Sequence, residues 1–341
     1  MSTALDDKLV PALDFGDVRA EFQALVSGCG VYGLKERAHI ELRGGDRVRW
    51  LNGMVTNNIR DLAAGRGVYA FMLNPQGRIL ADFYAYNRGD RLLIDTDQSQ
   101  AEKVLTAFDH YIIMDDVTVS NLSLEWGAIG VGGRNSEDVL RAVGLELPEL
   151  APLEFADAAW QEISLTVLRT DHEAVESFEV WLGAAQAPAL EAALLNAGAK
   201  PVGTAALERF RIASGIPRYG QDIRERDLPQ ETEQLRALNF SKGCYVGQEI
   251  VERIRSRGNV HRTFTGFLVD GALPPPGAKI QLEGKDVGEI TSVASLPLAS
   301  GERLVALGYI RREAALPGKQ LSAEGAKLTV VSVPFAEVFP N

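Results

Sequence analysis

Cysteine and histidine are scarce: 341 residues hold two cysteines, Cys29 and Cys244, and four histidines. Two thiols so far apart make no disulfide framework and fit a reducing compartment. They also fall short of the cysteine set that a stable iron–sulfur cluster needs. No paired CxxC and no HExxH occurs, so no protein-ligated metal is expected. Long apolar runs are missing too, and none reaches the length that spans a bilayer, so no membrane partner is expected. The opening residues, MSTALDDKLVPALDFGDV, carry early acids and neither an apolar core nor an arginine-rich face. They read as neither signal nor transit peptide, and the expected location is the cytoplasm. Positive charge is in deficit: a net charge of −11 argues against direct nucleic-acid binding. The run Arg253, Arg255, Arg257 and Arg262 reads as a solvated helix face.

Apolar residues are plentiful at 46 %, enough for a substantial core in two or three domains. Residues 1–22 read as a loose lead-in. HIELRG, residues 39–44, alternates as a strand does, and Asp46 is placed to cap a helix through Val48, Leu51 and Met54. VYAFML, NPQG and RILADFYAY read as strand, turn and strand; RLLIDT is a further strand, and residues 98–111 have helical spacing. That order predicts an α+β domain over 23–121, helices packed on a largely antiparallel sheet. A second α+β segment is expected over 122–262, with strands at VTVSNLS, WGAIGVGG, ISLTVLRT and FEVWLG. It also has a helix over 187–196 closed by Gly198. GAIGVGGRNSEDVL does not match GxGxxG and reads as a strand and turn, with Ser136 capping the next helix. From 263 to 341, short apolar runs separated by LPPPG, EGK and LPG turns predict a small antiparallel barrel or sandwich.

The densest chemistry lies in KGCYVGQE, Lys242 to Glu249, ahead of a helix expected over QEIVERIRSRG. Gly243 and Gly247 permit positive φ and free amide N–H groups to face a site. A helix start carries unpaired N–H groups and partial positive charge, which favours an anionic ligand group, with Lys242 as a second electrostatic partner. Cys244 lies in the same field, so its thiolate is expected to form more readily than in an average cysteine. The competing reading is a cap, a tight turn and a half-buried cysteine packed as a small hydrophobe.

The wider run LERFRIASGIPRYGQDIRERDLPQETEQLRALNFSKGCYVGQEIVERIRSRGNVHR resembles the signature region of the YgfZ family. These are folate-binding proteins related to the aminomethyltransferase (T-protein) of the glycine cleavage system. The resemblance rests on KGCYxGQE, preceded in order by GIPxxGxD and LPQE, and extends more weakly upstream through WLNGMVTNNI and GRILADF. It implies two α+β segments and a C-terminal β-barrel around a central opening that binds tetrahydrofolate or a one-carbon derivative.

A folate asks for a carboxylate or amide at its pterin edge, apolar walls for its rings and a cation for its glutamate. Asp82, an acid in an apolar strand, is the candidate for the first, or else lies on that strand's solvent face. The aminomethyltransferases carry two adjacent acids here; this chain has Ala81 in place of the first. Arg211 is the candidate cation, or else pairs with Glu208, and Ala213 replaces the glutamate usual two residues further on. Met54, Tyr69 and Trp50 are candidate ring walls or ordinary core. Cys244 is the candidate reactive thiol, which as a nucleophile needs a base, and His261 is near in sequence. Gln248 and Glu249 read as helix-start residues that fix the loop.

Three functions stand. The resemblance implies a tetrahydrofolate-binding accessory protein for iron–sulfur cluster assembly or repair. Its partners are iron–sulfur enzymes, including ones that modify transfer RNA, or cluster assembly proteins. The second is an enzyme, a folate-dependent aminomethyl or methyl transferase. The third is a thiol redox protein using Cys244 with a resolving thiol from a partner.

Overall fold

The computed structural model describes residues 12–258 and 260–339. The chain begins with α1 (Val18–Ser27), β1 (Gly30–Gly33), β2 (Arg37–Arg43), α2 (Arg47–Met54), β3 (Arg66–Leu73), β4 (Ile79–Asn87), β5 (Leu92–Asp97) and α3 (Gln98–Tyr111). Next come β6 (Thr118–Asn121), β7 (Trp126–Gly132), α4 (Ser136–Ala142), β8 (Phe155–Trp160), β9 (Ile163–Arg169), β10 (Ser177–Gly183), α5 (Ala187–Asn196), β11 (Lys200–Pro201) and α6 (Thr204–Ala213). It ends with α7 (Gln248–Arg257), β12 (Arg262–Asp270), β13 (Lys279–Leu282), β14 (Lys285–Leu298), β15 (Gly301–Arg311), β16 (Gln320–Ala323) and β17 (Ala326–Val331). The expected α+β class with a C-terminal antiparallel barrel is the observed one.

The residues fall into two compact units, the first drawn from Met1–Trp50, Ile59–Val68 and Phe83–Glu208. It holds a six-stranded sheet in the order β11-β1-β7-β10-β9-β8, antiparallel except for β1 with β11. Ile129 and Val131 of β7 point into one core with Leu140 of α4 and Leu190 and Leu194 of α5. Each such side chain contributes about 1.5–3 kcal/mol on full burial. A five-stranded sheet runs β3-β4-β5-β2-β6. Tyr86 and Leu93 from this sheet pack with Ala128, Leu168 and Trp181 from the other, an aromatic seam between two sheet faces. In α3 the buried Ala101, Val104 and Phe108 follow the helical period, and Asp97 caps the start by accepting from Ser99 N–H at 2.9 Å.

Three local expectations are revised. α1 begins at Val18, inside the stretch expected to be loose, because Phe22, Leu25 and Val26 form a buried face and Asp17 caps it; the lead-in's first eleven residues lie outside the described residues. Asn135, not Ser136, holds the position before α4, and the Ser136 hydroxyl instead donates to the Glu176 carbonyl. Asp46 stands just before α2, where its carbonyl accepts from Trp50 N–H at 2.8 Å, but its carboxylate accepts from Asp116 N–H at 3.0 Å and from the Arg49 side chain rather than from a helix N–H.

The second unit is drawn from Leu51–Asn58, Tyr69–Asp82 and Arg209–Asn341. Its barrel closes in the order β12-β15-β14-β13-β16-β17, because β12 pairs with both β15 and β17. Closure leaves no strand edge exposed. Phe267, Ile280, Ile290, Ala306 and Leu328 are among the side chains that fill it. A bulge in β14 between Ile290 and Ser292 breaks the pairing with β15, and such a bulge re-aims side chains locally.

Candidate functional site

The KGCYVGQE loop is built on residues 52–57, also in the second unit, through a row of hydrogen bonds. Thr56 Oγ1 donates to the Ala237 carbonyl at 2.6 Å and accepts from Phe71 N–H at 2.9 Å. Asn239 N–H donates to the Thr56 carbonyl at 3.0 Å, and Val246 N–H to the Gly53 carbonyl at 3.1 Å. Asn57 Nδ2 donates to the carbonyls of Tyr69 and Arg236, each at 2.8 Å. Gln248 Oε1 accepts from Tyr245 N–H at 3.2 Å, while Glu249 is exposed in the first turn.

Gly247 alone of the loop's two glycines needs positive φ, at +80°, where it caps the start of α7. A Cβ there would lie 2.5 Å from the Asn74 carbonyl oxygen, and one on Gly77 would lie 2.6 Å from Ile250 Cβ. Two bare backbones therefore let α7 seat on the NPQG turn. Gly243 is outside the positive-φ set and has open space around it, so the expectation for it is corrected. Cys244 is exposed.

Lys242 is 6 % exposed, and Nζ donates to three backbone carbonyls, Asn52 at 2.6 Å, Val55 at 2.5 Å and Asn57 at 2.7 Å. An ammonium has three donors, so these carbonyls take all of them. The residue expected to attract a ligand anion is instead an internal cation, with Tyr245's ring centroid 4.9 Å away.

Asp82 is half-buried and accepts from the Tyr69 hydroxyl at 2.5 Å. The Tyr69 ring carries the Arg236 guanidinium at 4.6 Å from its centroid and meets Phe71 edge-on. Met54 is buried in the same unit. Trp50 belongs to the first unit's core, stacked edge-to-face on Phe108 with Nε1 donating to the Tyr111 carbonyl.

Arg211 is held by Asp222. Nη1 donates to Asp222 Oδ2 at 2.7 Å and to the Ile216 carbonyl at 2.6 Å, and Nη2 to Ser292 Oγ at 2.9 Å. Asp222, 0 % exposed, also accepts from Arg218 N–H, Thr291 Oγ1 and Ser292 Oγ. The acid of GIPxxGxD thus ties the loop to the bulged stretch of β14. In LPQE, Glu231 accepts from Leu228 N–H and from Arg262, while Gln230 Nε2 donates to the Val251 carbonyl. His261 is exposed at the entry to β12. Among the described residues, no group of three or more histidines, cysteines or acids is arranged to hold a metal.

The first unit carries a second polar cluster, in its aromatic seam. Arg37 bonds both oxygens of the buried Asp95, and Trp181 Nε1 donates to Glu179 at 3.0 Å. Burial, then the Asp95 charge, raises the Glu179 carboxyl above its ordinary value. His39, 1 % exposed, lies edge-on to Trp181, and burial holds its pKa below the ordinary value.

Residues 11–242 match the family model described as GCVT N-terminal domain. The chain belongs to the GCVT N-terminal domain family. Residues 259–336, which contain the six barrel strands, match a second model, CAF17, C-terminal beta-barrel domain. An aminomethyltransferase of Rubrobacter xylanophilus is 28 % identical over 304 residues, 88 % of this chain and 81 % of that one. One from Geobacillus kaustophilus is 25 % identical over 335 residues, covering 95 % and 91 %. The crystal structure of glycine cleavage system aminomethyltransferase T from Bartonella henselae shares the fold, with a TM-score of 0.84 and 22 % identity over 94 % of this chain and 90 % of that one.

Within this GCVT-family chain, sequence reasoning missed Asp222, Asn57 and Arg236. Asp222 stood in a quoted motif, but an acid two residues after a glycine in a loop carries the signature of a turn residue. Asn57 likewise reads as turn chemistry in TNN, and nothing local marks Arg236.

Proposed function

We propose that this protein binds a reduced folate and acts as an accessory factor in iron–sulfur cluster assembly or repair, supporting iron–sulfur enzymes that include transfer-RNA-modifying ones. One observation carries the reading: KGCYVGQE presents an exposed Cys244 on the same hydrogen-bonded frame that holds Tyr69 and, through it, Asp82. The residues fit a folate in part. The Asp82 carboxylate, steadied by the Tyr69 hydroxyl, offers acceptor oxygens for the pterin edge, and Tyr69 and Met54 offer wall surface. Arg236, exposed beside the Tyr69 ring, is a better cation for the glutamate than Arg211, whose guanidinium is held by Asp222. Bound tetrahydrofolate supplies ring nitrogens that carry a one-carbon unit.

The names of the relatives favour a second reading, a folate-dependent aminomethyltransferase. Against it stand Ala81 and Ala213, both 0 % exposed, where the aminomethyltransferase pattern has acids. A positioned acid or base typically contributes about 10²–10⁴-fold to rate, so its loss lowers turnover by such a factor while leaving binding largely intact. Two measurements test the proposal: calorimetric titration with tetrahydrofolate, and iron–sulfur enzyme activity in cells lacking the protein. Saturable binding with a drop in those activities is expected. Absence of binding, or unaltered activities, would overturn it.

A further inference from the structure

A lysine ammonium buried among backbone carbonyls is costly to desolvate, and it persists only where its hydrogen bonds are met. Lys242 meets that condition within one short segment, since the carbonyls of Asn52, Val55 and Asn57 converge on Nζ at 2.5–2.7 Å. Three carbonyls around a single cation fix the end of α2 and the turn that follows, residues 52–57, more tightly than neutral bonds alone, because hydrogen bonds to a charged group are the stronger kind. Two lines of contact leave that turn. One runs forward along the chain from Lys242 to Cys244, with Val246 N–H anchored on the Gly53 carbonyl at 3.1 Å. The other runs from Asn57, whose Nδ2 holds the Tyr69 and Arg236 carbonyls at 2.8 Å, to the Tyr69 hydroxyl and Asp82.

We propose that Lys242 is the positioning residue of the candidate site, acting through the carbonyls of residues 52–57 to hold the Cys244 loop and the Tyr69–Asp82 pair in register. This rests on the folate reading above and assigns Lys242 a part in it different from ligand contact. Truncation to alanine leaves a cage of three carbonyls that a small free ammonium can refill, which makes the role separable from general stability.

The test compares parent, Lys242→Ala and Asn57→Ala by tetrahydrofolate titration and by amide hydrogen exchange, with and without propylammonium chloride. Lys242→Ala is expected to weaken tetrahydrofolate binding at least tenfold and to speed exchange at Val246 at least tenfold, while barrel amides keep their protection. Propylammonium should restore both. Asn57→Ala, which leaves the cage intact, should weaken binding without responding to propylammonium. A folded Lys242→Ala variant with binding and Val246 exchange within twofold of the parent overturns the proposal, as does loss that propylammonium never restores. If Lys242→Ala fails to fold, Asn57→Ala decides: a tenfold loss of affinity supports the frame, and parent-like affinity overturns it. If the parent itself binds no tetrahydrofolate, the folate reading fails, and the exchange and propylammonium arms still judge the clamp.

Discussion

Arg211 and Asp82 were matched candidates by composition, one cation and one acid each flanked by apolar residues, and their surroundings separate them. Arg211 is 11 % exposed by side chain and its partner Asp222 is 0 % exposed. Removing one member of a buried, hydrogen-bonded pair strands the other and costs about 3–5 kcal/mol. Asp82 is half-buried, with the Tyr69 hydroxyl on one oxygen. Arg211→Ala and Asp222→Asn are therefore expected to lower the denaturant midpoint strongly. Asp82→Ala is expected to keep the midpoint near the parent's and to lose about 1.5–3 kcal/mol of tetrahydrofolate affinity, the range for a hydrogen bond to a charged group. Denaturation and calorimetry on the same preparations check this. An Arg211→Ala protein as stable as the parent, or an Asp82→Ala protein that binds as tightly, contradicts it.

Elements were legible where the pattern is local. The periodicity over 98–111 and 187–196 coincides with α3 and α5, and the hairpin around NPQG was visible from its turn residues. Partners distant in sequence were not, because periodicity says which face is buried and nothing of what lies against it. Lys242 finds carbonyls about 190 positions away, and Arg211 finds a buried serine beside a β-bulge 81 positions on. The seam of the first unit, with His39 on β2, Asp95 on β5 and Glu179 on β10, was equally unreadable from any one strand. Its groups predict an opposed pH dependence. Burial lowers the His39 pKa, with Arg37 lowering it further and Asp95 opposing, so the native state stays neutral where the unfolded chain takes up a proton. Stability from this group is present above about pH 6.5 and lost as pH falls below it. Glu179 is raised, so its contribution is complete below the ordinary carboxylate value of about 4.3 and is lost as pH rises towards neutrality. On passing from pH 7.5 to 5.5, His39→Phe should show a smaller loss of unfolding free energy than the parent, and Glu179→Gln a larger one. Variants that follow the parent's pH dependence would contradict both assignments.

At the scale of the whole molecule, the fold was readable because the resemblance spanned most of the chain and the strand texture changed at the barrel, whose strands start at Arg262. Fold alone does not choose among functions, since one architecture hosts several chemistries. The proposed choice rests on residues: an exposed thiol in KGCYVGQE, and buried alanines at the two positions where the pattern implied by the resemblance has acids. We propose that this chain keeps the folate site and has given up the transfer. The measurement that bears on it most directly is methylenetetrahydrofolate formation by purified protein saturated with tetrahydrofolate and supplied with an aminomethylated lipoyl carrier protein. The account predicts bound tetrahydrofolate and no product above the uncatalysed rate; turnover in the usual enzyme range of about 1–10³ s⁻¹ would contradict it.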